Sequence, residues 1–347
     1  MPIKQAATVS VDIGHSNLKL IQTGADGRIL KFVVHRIPEG CVDELNIVSE
    51  DALVRSLKTA RKKARLNPGK CFLVLSGSDI IIRHFTLPIL SDEELYQNIL
   101  NEMSGYLPVD LEKYYIDYKI VDKVREDNVE MYNILVTAVH KRIVNQYKHV
   151  LGKAGFHLSV VDTCENAREK LLKSLALRDK VFNINGGVCI LDFGTKYTRA
   201  SIYHNGDFFI SNMIKKSGQQ LTEVIAQNSG KDILTSETMK REIDFLNQPY
   251  HNAELKSAVT YEIDSLLYEI SRLFDYYRNR AKCTVHTVFL SGGGALMPGL
   301  VEYIGKHLGL PVYLSSMLLP SSHNGNQSDQ RGFALLLNAY AATLREE

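Results

Sequence analysis

Three short apolar stretches, Thr8–Ile13, Leu18–Thr23 and Ile29–Val34, alternate with glycine-bearing turns and predict a three-stranded meander over residues 7–34. A charge-rich helix is expected over 50–66, and Cys71–Leu75 reads as a buried strand. The character changes near residue 80. Ile80–Leu87 is strand-like and is stopped by Pro88. Ser91 with Glu94 forms a capping box for a helix that puts Leu95, Ile99 and Met103 on one face and ends before Pro108. Two alternating strands follow, Tyr114–Val121 and Tyr132–Val139, then a helix from Lys141 to about Ala154. Residues 80–157 therefore read as an inserted β-α-β-β-α subdomain, with Ile99, Met103, Tyr114 and Tyr118 as its apolar surface candidates.

The chain then returns to its first domain with Ser159–Val161 and a helix from about Glu165 to Ala176. Asn183–Gly187 is expected to be the hinge. The strands Val188–Asp192, Arg199–Tyr203 and Phe208–Ser211 repeat the opening meander, and 217–280 is mostly helical. Residues 255–280 space their apolar positions as one long core helix. A buried strand, Val285–Leu290, leads into Ser291-Gly292-Gly293-Gly294 and a helix beginning near Pro298. A polar loop at 320–330 precedes a last helix over about 331–345.

The repeat is also chemical. Val-Asp-Ile-Gly-His-Ser-Asn-Leu-Lys at Val11–Lys19 is echoed by Leu-Asp-Phe-Gly-Thr-Lys-Tyr-Thr-Arg at Leu191–Arg199, half a chain away. A glycine in such a turn lets backbone N–H groups approach phosphate oxygens, and an aspartate at the strand end can hold a hydrated Mg2+. Asp12 and Asp192 are thus the expected metal carboxylates, through water. Ser16, Asn17 and Thr195 add donors, and Lys19 is placed to reach a β- or γ-phosphate. One Asp-x-Gly alone is most simply a β-turn; two with matching flanks point to a nucleotide gripped from both sides. Gly292–Gly294 between strand and helix suits a base, ribose or phosphate, or is merely a tight connection. Glu237 and Lys240, one turn apart, either face a nucleoside or form a surface ion pair.

Length argues for two domains, and 41 Lys plus Arg against 39 Asp plus Glu, a formal +2, argues against a nucleic-acid coat. The basic run Arg55–Arg65 lacks interleaved aromatics, so it reads as a solvated helix face. Five scattered cysteines without a Cys-x-x-Cys pair suggest reduced thiols in a cytoplasmic protein. The first strand begins too early for a signal peptide, no apolar run spans a bilayer, and no zinc or Gly-x-Ser-x-Gly motif is present.

Together the two hairpins, the insert and the late glycine triplet resemble the actin/Hsp70/sugar-kinase superfamily. Within it the chain is similar to the PilM family, actin-like proteins of type IV pilus assembly related to the division protein FtsA. The resemblance is carried by Asp12–Lys19, by Leu87-Pro88 with Glu93-Glu94-Leu95, Glu102 and Tyr106-Leu107-Pro108, and by Asp117-Tyr118. Ser236-Glu237-Thr238-Met239-Lys240 and Leu290-Ser291-Gly292-Gly293-Gly294-Ala295 complete it. Two departures stand out: Ser217-Gly218 replaces a Gly-Gly pair, and the C-terminal Gly-Leu-Ala-Leu-Arg is only echoed at Ala339–Arg345. The chain stops soon after its last core-like helix, which favours PilM over FtsA with its membrane-targeting tail.

The resemblance implies an α/β, actin-like (ribonuclease H-like) fold of duplicated domains with an FtsA-type insert. Residues 1–79 with 158–182 would form the first domain, 80–157 the insert, 183–216 with 281–347 the second domain, and 217–280 its helical part. It implies ATP with Mg2+ bound by Asp12, Gly14, His15, Ser16, Asn17 and Lys19 from one side. Asp192, Gly194, Thr195 and Lys196 would hold it from the other, and Gly218, Gln219, Glu237, Lys240, Gly292, Gly293, Gly294 and Met297 at the nucleoside. Glu165, at the start of the connecting helix, is a candidate to orient an attacking water, but Cys164 and Asn166 beside it complete no catalytic set, so hydrolysis is expected to be slow or absent. The implied partner is the cytoplasmic N-terminal tail of an inner-membrane PilN-like protein, held between first domain and insert, alongside other pilus-assembly components. Such a protein would be cytoplasmic, recruited to the inner face of the membrane without inserting, with self-association left open. The competing readings are a filament-forming cytoskeletal protein and a small-metabolite kinase on the same fold.

Overall fold

The opening meander forms as β1 (Thr8–Ile13), β2 (Asn17–Thr23) and β3 (Ile29–Arg36) in a computed structural model that describes residues 8–67, 70–107, 110–178, 182–320 and 332–344. Two short strands, β4 (Val42–Asp43) and β5 (Asn46–Ile47), lead to α1 (Glu50–Lys63) and β6 (Lys70–Leu75). The first sheet is ordered β3-β2-β1-β6 and is completed at its far edge by β10 (His157–Thr163). Between these last two strands the chain makes β7 (Ile81–Pro88), α2 (Asp92–Ser104), β8 (Tyr114–Glu126), β9 (Val129–His140) and α3 (Lys141–Lys153).

The connecting helix α4 (Cys164–Arg178) then leads to β11 (Gly187–Phe193), β12 (Thr198–His204) and β13 (Asp207–Ile214). Three helices follow, α5 (Gly218–Ser229), α6 (Ile233–Glu242) and α7 (Ala253–Ala281). The second sheet adds β14 (Val285–Ser291) and, after α8 (Leu300–Leu308), β15 (Val312–Leu314). Its order, β13-β12-β11-β14-β15, reproduces that of the first sheet strand for strand. In both, the first three strands pair antiparallel and the last two add in parallel. The sequence echo is therefore a structural duplication.

Helix α4 lies between the sheets and is buried around most of its circumference, because each side meets a different half. Its Cys164, Ala167, Leu171 and Leu172 pack with Ile21 and Val74 from one sheet and Val188, Ile190 and Tyr203 from the other. α9 (Leu337–Ala341) shares this junction through Leu337, Ala339 and Tyr340. The long α7 turns Leu255, Val259, Ile263, Leu266, Leu267 and Ile270 into the second core, as its spacing predicts. Cys41, Cys71, Cys164 and Cys189 are buried free thiols.

Three expectations need correction. The insert ends with β9: Ile143, Tyr147, Val150 and Leu151 of α3 pack in the first-half core with Leu53, Leu57 and Leu73. Arg61 fastens that helix by donating to the Ala154 carbonyl at 3.1 Å and the Gly155 carbonyl at 3.2 Å. An amphipathic pattern defines a buried face but not the core that receives it. Second, Ile99, Met103 and Tyr114 form the interior of the insert with Phe85, Leu95 and Ile134, beneath the sheet β7-β9-β8, and offer no docking surface. Third, the helix expected over 331–345 is interrupted before α9. The Ala334 carbonyl is drawn out of helical pairing to accept from Ser291 Oγ at 3.0 Å, Ser315 Oγ at 3.3 Å and the Gly292 N–H at 3.4 Å. Pro108, Arg345 and all but Pro320 of the expected polar loop lie outside the described residues.

Candidate functional site

The two Asp-x-Gly hairpins face one another across the junction of the halves. In each, the glycine N–H closes the turn on the carbonyl three residues on, Gly14 to Asn17 and Gly194 to Tyr197, both at 3.0 Å. The register also matches: Asp12 lies opposite Lys19, and Asp192 opposite Arg199. A Cβ on Gly194 would stand 2.8 Å from the Tyr197 carbonyl oxygen, so the turn is closed to larger residues. Asp12, Gly14, His15, Ser16, Asn17, Lys19, Asp192, Gly194, Thr195 and Lys196 all line one cleft with Gly292 and Gly293. Glu44, Ser76, Tyr197, Arg199 and Asn338, which sequence reasoning did not assign, line it too.

That cleft is drawn closed. Lys196 Nζ pairs with Asp43 at 2.6 Å, Tyr197 Oη donates to the Ser76 carbonyl at 3.1 Å, and the His15 ring meets the Tyr197 ring edge-on at 5.4 Å. The cavity left is about 90 Å³, well below the roughly 300–1,000 Å³ of ligand pockets. Burial, then the nearby Lys196 charge, lowers His15 to about 4, so its ring is neutral at pH 7. His15 Nε2 and Arg199 Nε are buried at this cleft without a hydrogen-bond partner. Such orphaned polar atoms are costly unless something fills the space they face.

Charge is otherwise matched. Lys19 Nζ lies 3.2 Å from Asp12, and Arg168 Nη2 lies 2.5 Å from Asp192, with Asn338 bonded to both Arg168 and Asp192. Glu165 is pinned by Arg199 at 2.7 Å and also accepts from the Cys164 thiol, so its carboxylate is not free to orient a water. Arg168 and Asn338 are far apart in sequence and only the folded chain pairs them; a hint was the Glu165–Arg168 spacing, which puts both on one face of α4.

The expected nucleoside residues separate into groups. Lys240 Nζ donates to the Gly218 carbonyl and Thr222 Oγ1, both at 2.7 Å, and to Glu237 at 2.6 Å, stapling α6 to α5. Burial lowers the Lys240 pKa, against the opposing pull of Glu237. The pair is thus a part-buried link between the two helices, with Lys240 7% and Glu237 34% exposed. The Gly218 and Gln219 N–H groups are spent on the Gly194 and Thr195 carbonyls, at 2.9 and 3.0 Å. Gly292, at φ +85°, and Gly294 are dictated by packing: an added Cβ would stand 2.6 Å from the Phe193 carbonyl oxygen or 2.5 Å from its ring. Gly293 alone of the three faces open space. Met297 is buried in the second core and does not line the cleft.

A second cavity of about 550 Å³ separates the insert from the first half. One wall is β8, with Tyr115, Ile116 and Tyr118; the other is Val161–Thr163 of β10 with Glu165 and Asn166 of α4. Leu75, Leu135 and Val139 make an apolar floor. Both β8 and β10 are edge strands of their sheets, so each presents backbone donors and acceptors to an added strand. Of the apolar residues expected to dock a partner, Tyr118 is the one found here. Among the described residues no cluster of three His, Cys, Asp or Glu could hold a metal, and no helix is long and apolar enough to cross a membrane.

Comparison with solved structures shows the fold. A PilM–PilN type IV pilus biogenesis complex superposes with a TM-score of 0.81 at 20% identity, covering 99% of this chain and 100% of that one. The ethanolamine utilization protein EutJ of Carboxydothermus hydrogenoformans matches with a TM-score of 0.58 at 16% identity, over 99% of this chain and 91% of that one. MreB5 of Spiroplasma citri bound to AMPPNP matches at 0.54 and 15% identity, over 91% and 93%. These likenesses are to the actin-like fold expected from the repeat. A family model for type IV pilus assembly protein PilM matches residues 10–338. The chain belongs to the PilM family of type IV pilus assembly proteins.

Proposed function

We propose that this protein is a nucleotide-binding adaptor that captures the cytoplasmic tail of a PilN-like inner-membrane protein. The groove of about 550 Å³ between two edge strands carries the reading. An extended peptide laid there would gain main-chain hydrogen bonds from β8 or β10 and bury alternate apolar side chains on Leu75, Leu135 and Val139. The solved relative is itself a PilM–PilN complex. Recruitment through this tail would hold the protein at the inner face of the membrane.

ATP between the hairpins fits the same residues. The neutral His15 and the buried Arg199 Nε offer unused hydrogen-bonding capacity to phosphate oxygens, and Gly293 leaves room beside them. Lys19 can swing from Asp12 to a phosphate, freeing that carboxylate for a hydrated Mg2+. A relative of this fold, MreB5, is bound to AMPPNP. Entry requires the Lys196–Asp43 and Tyr197–Ser76 contacts to part, which makes the nucleotide a conformational ligand. With Glu165 held by Arg199, hydrolysis is slow or absent. Calorimetric titration with a synthetic PilN tail peptide, with and without ATP, tests the reading; no binding in either condition sinks it.

A further inference from the structure

Asp12 and Asp192 end matching strands, yet their charges are met differently. Asp12 is paired with Lys19 of its own hairpin at 3.2 Å, and the lysine side chain keeps 17% of its exposure. An ammonium on a four-carbon stem can leave. Asp192 is met from α4. Arg168 Nη2 donates to Asp192 Oδ2 at 2.5 Å, Arg168 Nε to Asn338 Oδ1 at 2.8 Å, and Asn338 Nδ2 closes the ring on the same Asp192 oxygen at 3.3 Å. The Arg168 side chain is 0% exposed, so it has no water to retreat into. A guanidinium does not give up its proton. A fixed positive charge therefore stands against Asp192 whatever the cleft holds. A hydrated divalent cation needs a carboxylate whose charge is not already matched. At Asp192 one oxygen is shared by two donors, and a second cation would meet Arg168 at close quarters.

We propose that Asp192 is the counter-ion of Arg168 and not a metal carboxylate, so that a divalent cation arriving with nucleotide is held from the first half alone. The proposal rests on the nucleotide reading above. Arg168 then acts as a positioning residue: through Asp192 and Asn338 it fixes the second hairpin without a metal. Gly292 packs on the same carboxylate, where a Cβ would stand 2.6 Å from Asp192 Oδ1, so the glycine turn is positioned with it.

The test measures ATP dissociation constants in excess Mg2+ and in EDTA for the wild type, Asp192→Asn and Asp12→Asn. The ratio of the two constants reports the share of the metal. Asp192→Asn should leave that ratio within about twofold of the wild-type value, even where both constants weaken, while Asp12→Asn should bring it to about one. A ratio abolished by Asp192→Asn, or a wild-type Mg2+ effect left untouched by Asp12→Asn, overturns the proposal; a wild-type ratio near one overturns its first-half metal site. A second readout needs no nucleotide. In the metal-free protein, Arg168→Met and Asp192→Asn should together lower the melting temperature by less than the sum of their separate effects. Simple additivity would refute the counter-ion role. A wild type that binds no ATP in either buffer defeats the nucleotide reading instead, and the melting cycle still decides the role of Asp192.

Discussion

Replacing Glu165 by Gln should destabilise the fold without acting through catalysis. The Glu165 and Arg199 side chains are 2% and 7% exposed and meet at 2.7 Å. Among the described residues Glu165 is the only anion paired with Arg199, whose Nε already lacks a partner. Removing one member of a buried pair costs about 3–5 kcal/mol, because the other charge is left in a poorly polarisable interior. The amide oxygen of Gln still accepts one hydrogen bond, which places this variant at the low end, about 3 kcal/mol, with Glu165→Ala higher. Urea unfolding followed by circular dichroism reads the loss as a lowered midpoint at constant slope. Arg199→Met should cost less than Glu165→Ala, and the double variant should recover more than about 1 kcal/mol relative to additivity. A loss below about 1 kcal/mol for Glu165→Gln would refute the buried-pair argument. So would full stability combined with reduced ATP turnover, the signature of a water-orienting base.

The glycine triplet should divide by position. Gly292→Ala and Gly294→Ala would each cost more than about 2 kcal/mol in thermal unfolding, since their Cβ atoms strike Phe193, while Gly293→Ala should stay within about 0.5 kcal/mol. Equal losses at all three would contradict the packing account. His15 gives a pH signature. Its folded value of about 4 lies below its ordinary 6.5, so the neutral ring belongs to the folded state. Its contribution is complete above pH 6.5 and is lost as pH falls toward 4; His15→Gln should flatten stability against pH across that window, and an unchanged slope would reject it. In the groove, Tyr115→Glu should weaken tail-peptide binding at least about tenfold by calorimetry with the melting temperature nearly unchanged, because Tyr115 lines the wall from an edge strand and is half exposed outside the insert core. Unaltered affinity would move the peptide elsewhere.

The two hairpins were legible in the chain because a turn is a local object: glycine, flanking strands and aspartate all fall within a few residues, whereas the matching order of the two sheets came from the fold. The capping box at Ser91 and Glu94 and the long face of α7 were legible for the same reason, since caps and amphipathic spacing are satisfied within one helix. What the hairpins do to each other was not. Periodicity assigned α3 a buried face but could not say that the first-half core receives it, and it mistook the interior of the insert for its surface. The last helix breaks because two serines distant in sequence, Ser291 at the end of β14 and Ser315 just after β15, capture the Ala334 carbonyl, a competition no local propensity records. Most of all, Asp12 and Asp192 look equivalent in sequence and differ in the fold. One faces a lysine on its own hairpin; the other meets an arginine from α4 and an asparagine from α9. Sequence determined which groups could carry charge in the cleft. Tertiary structure decided which charges were already matched, because electrostatic partners are chosen by distance and burial, and both depend on segments brought together from across the whole chain.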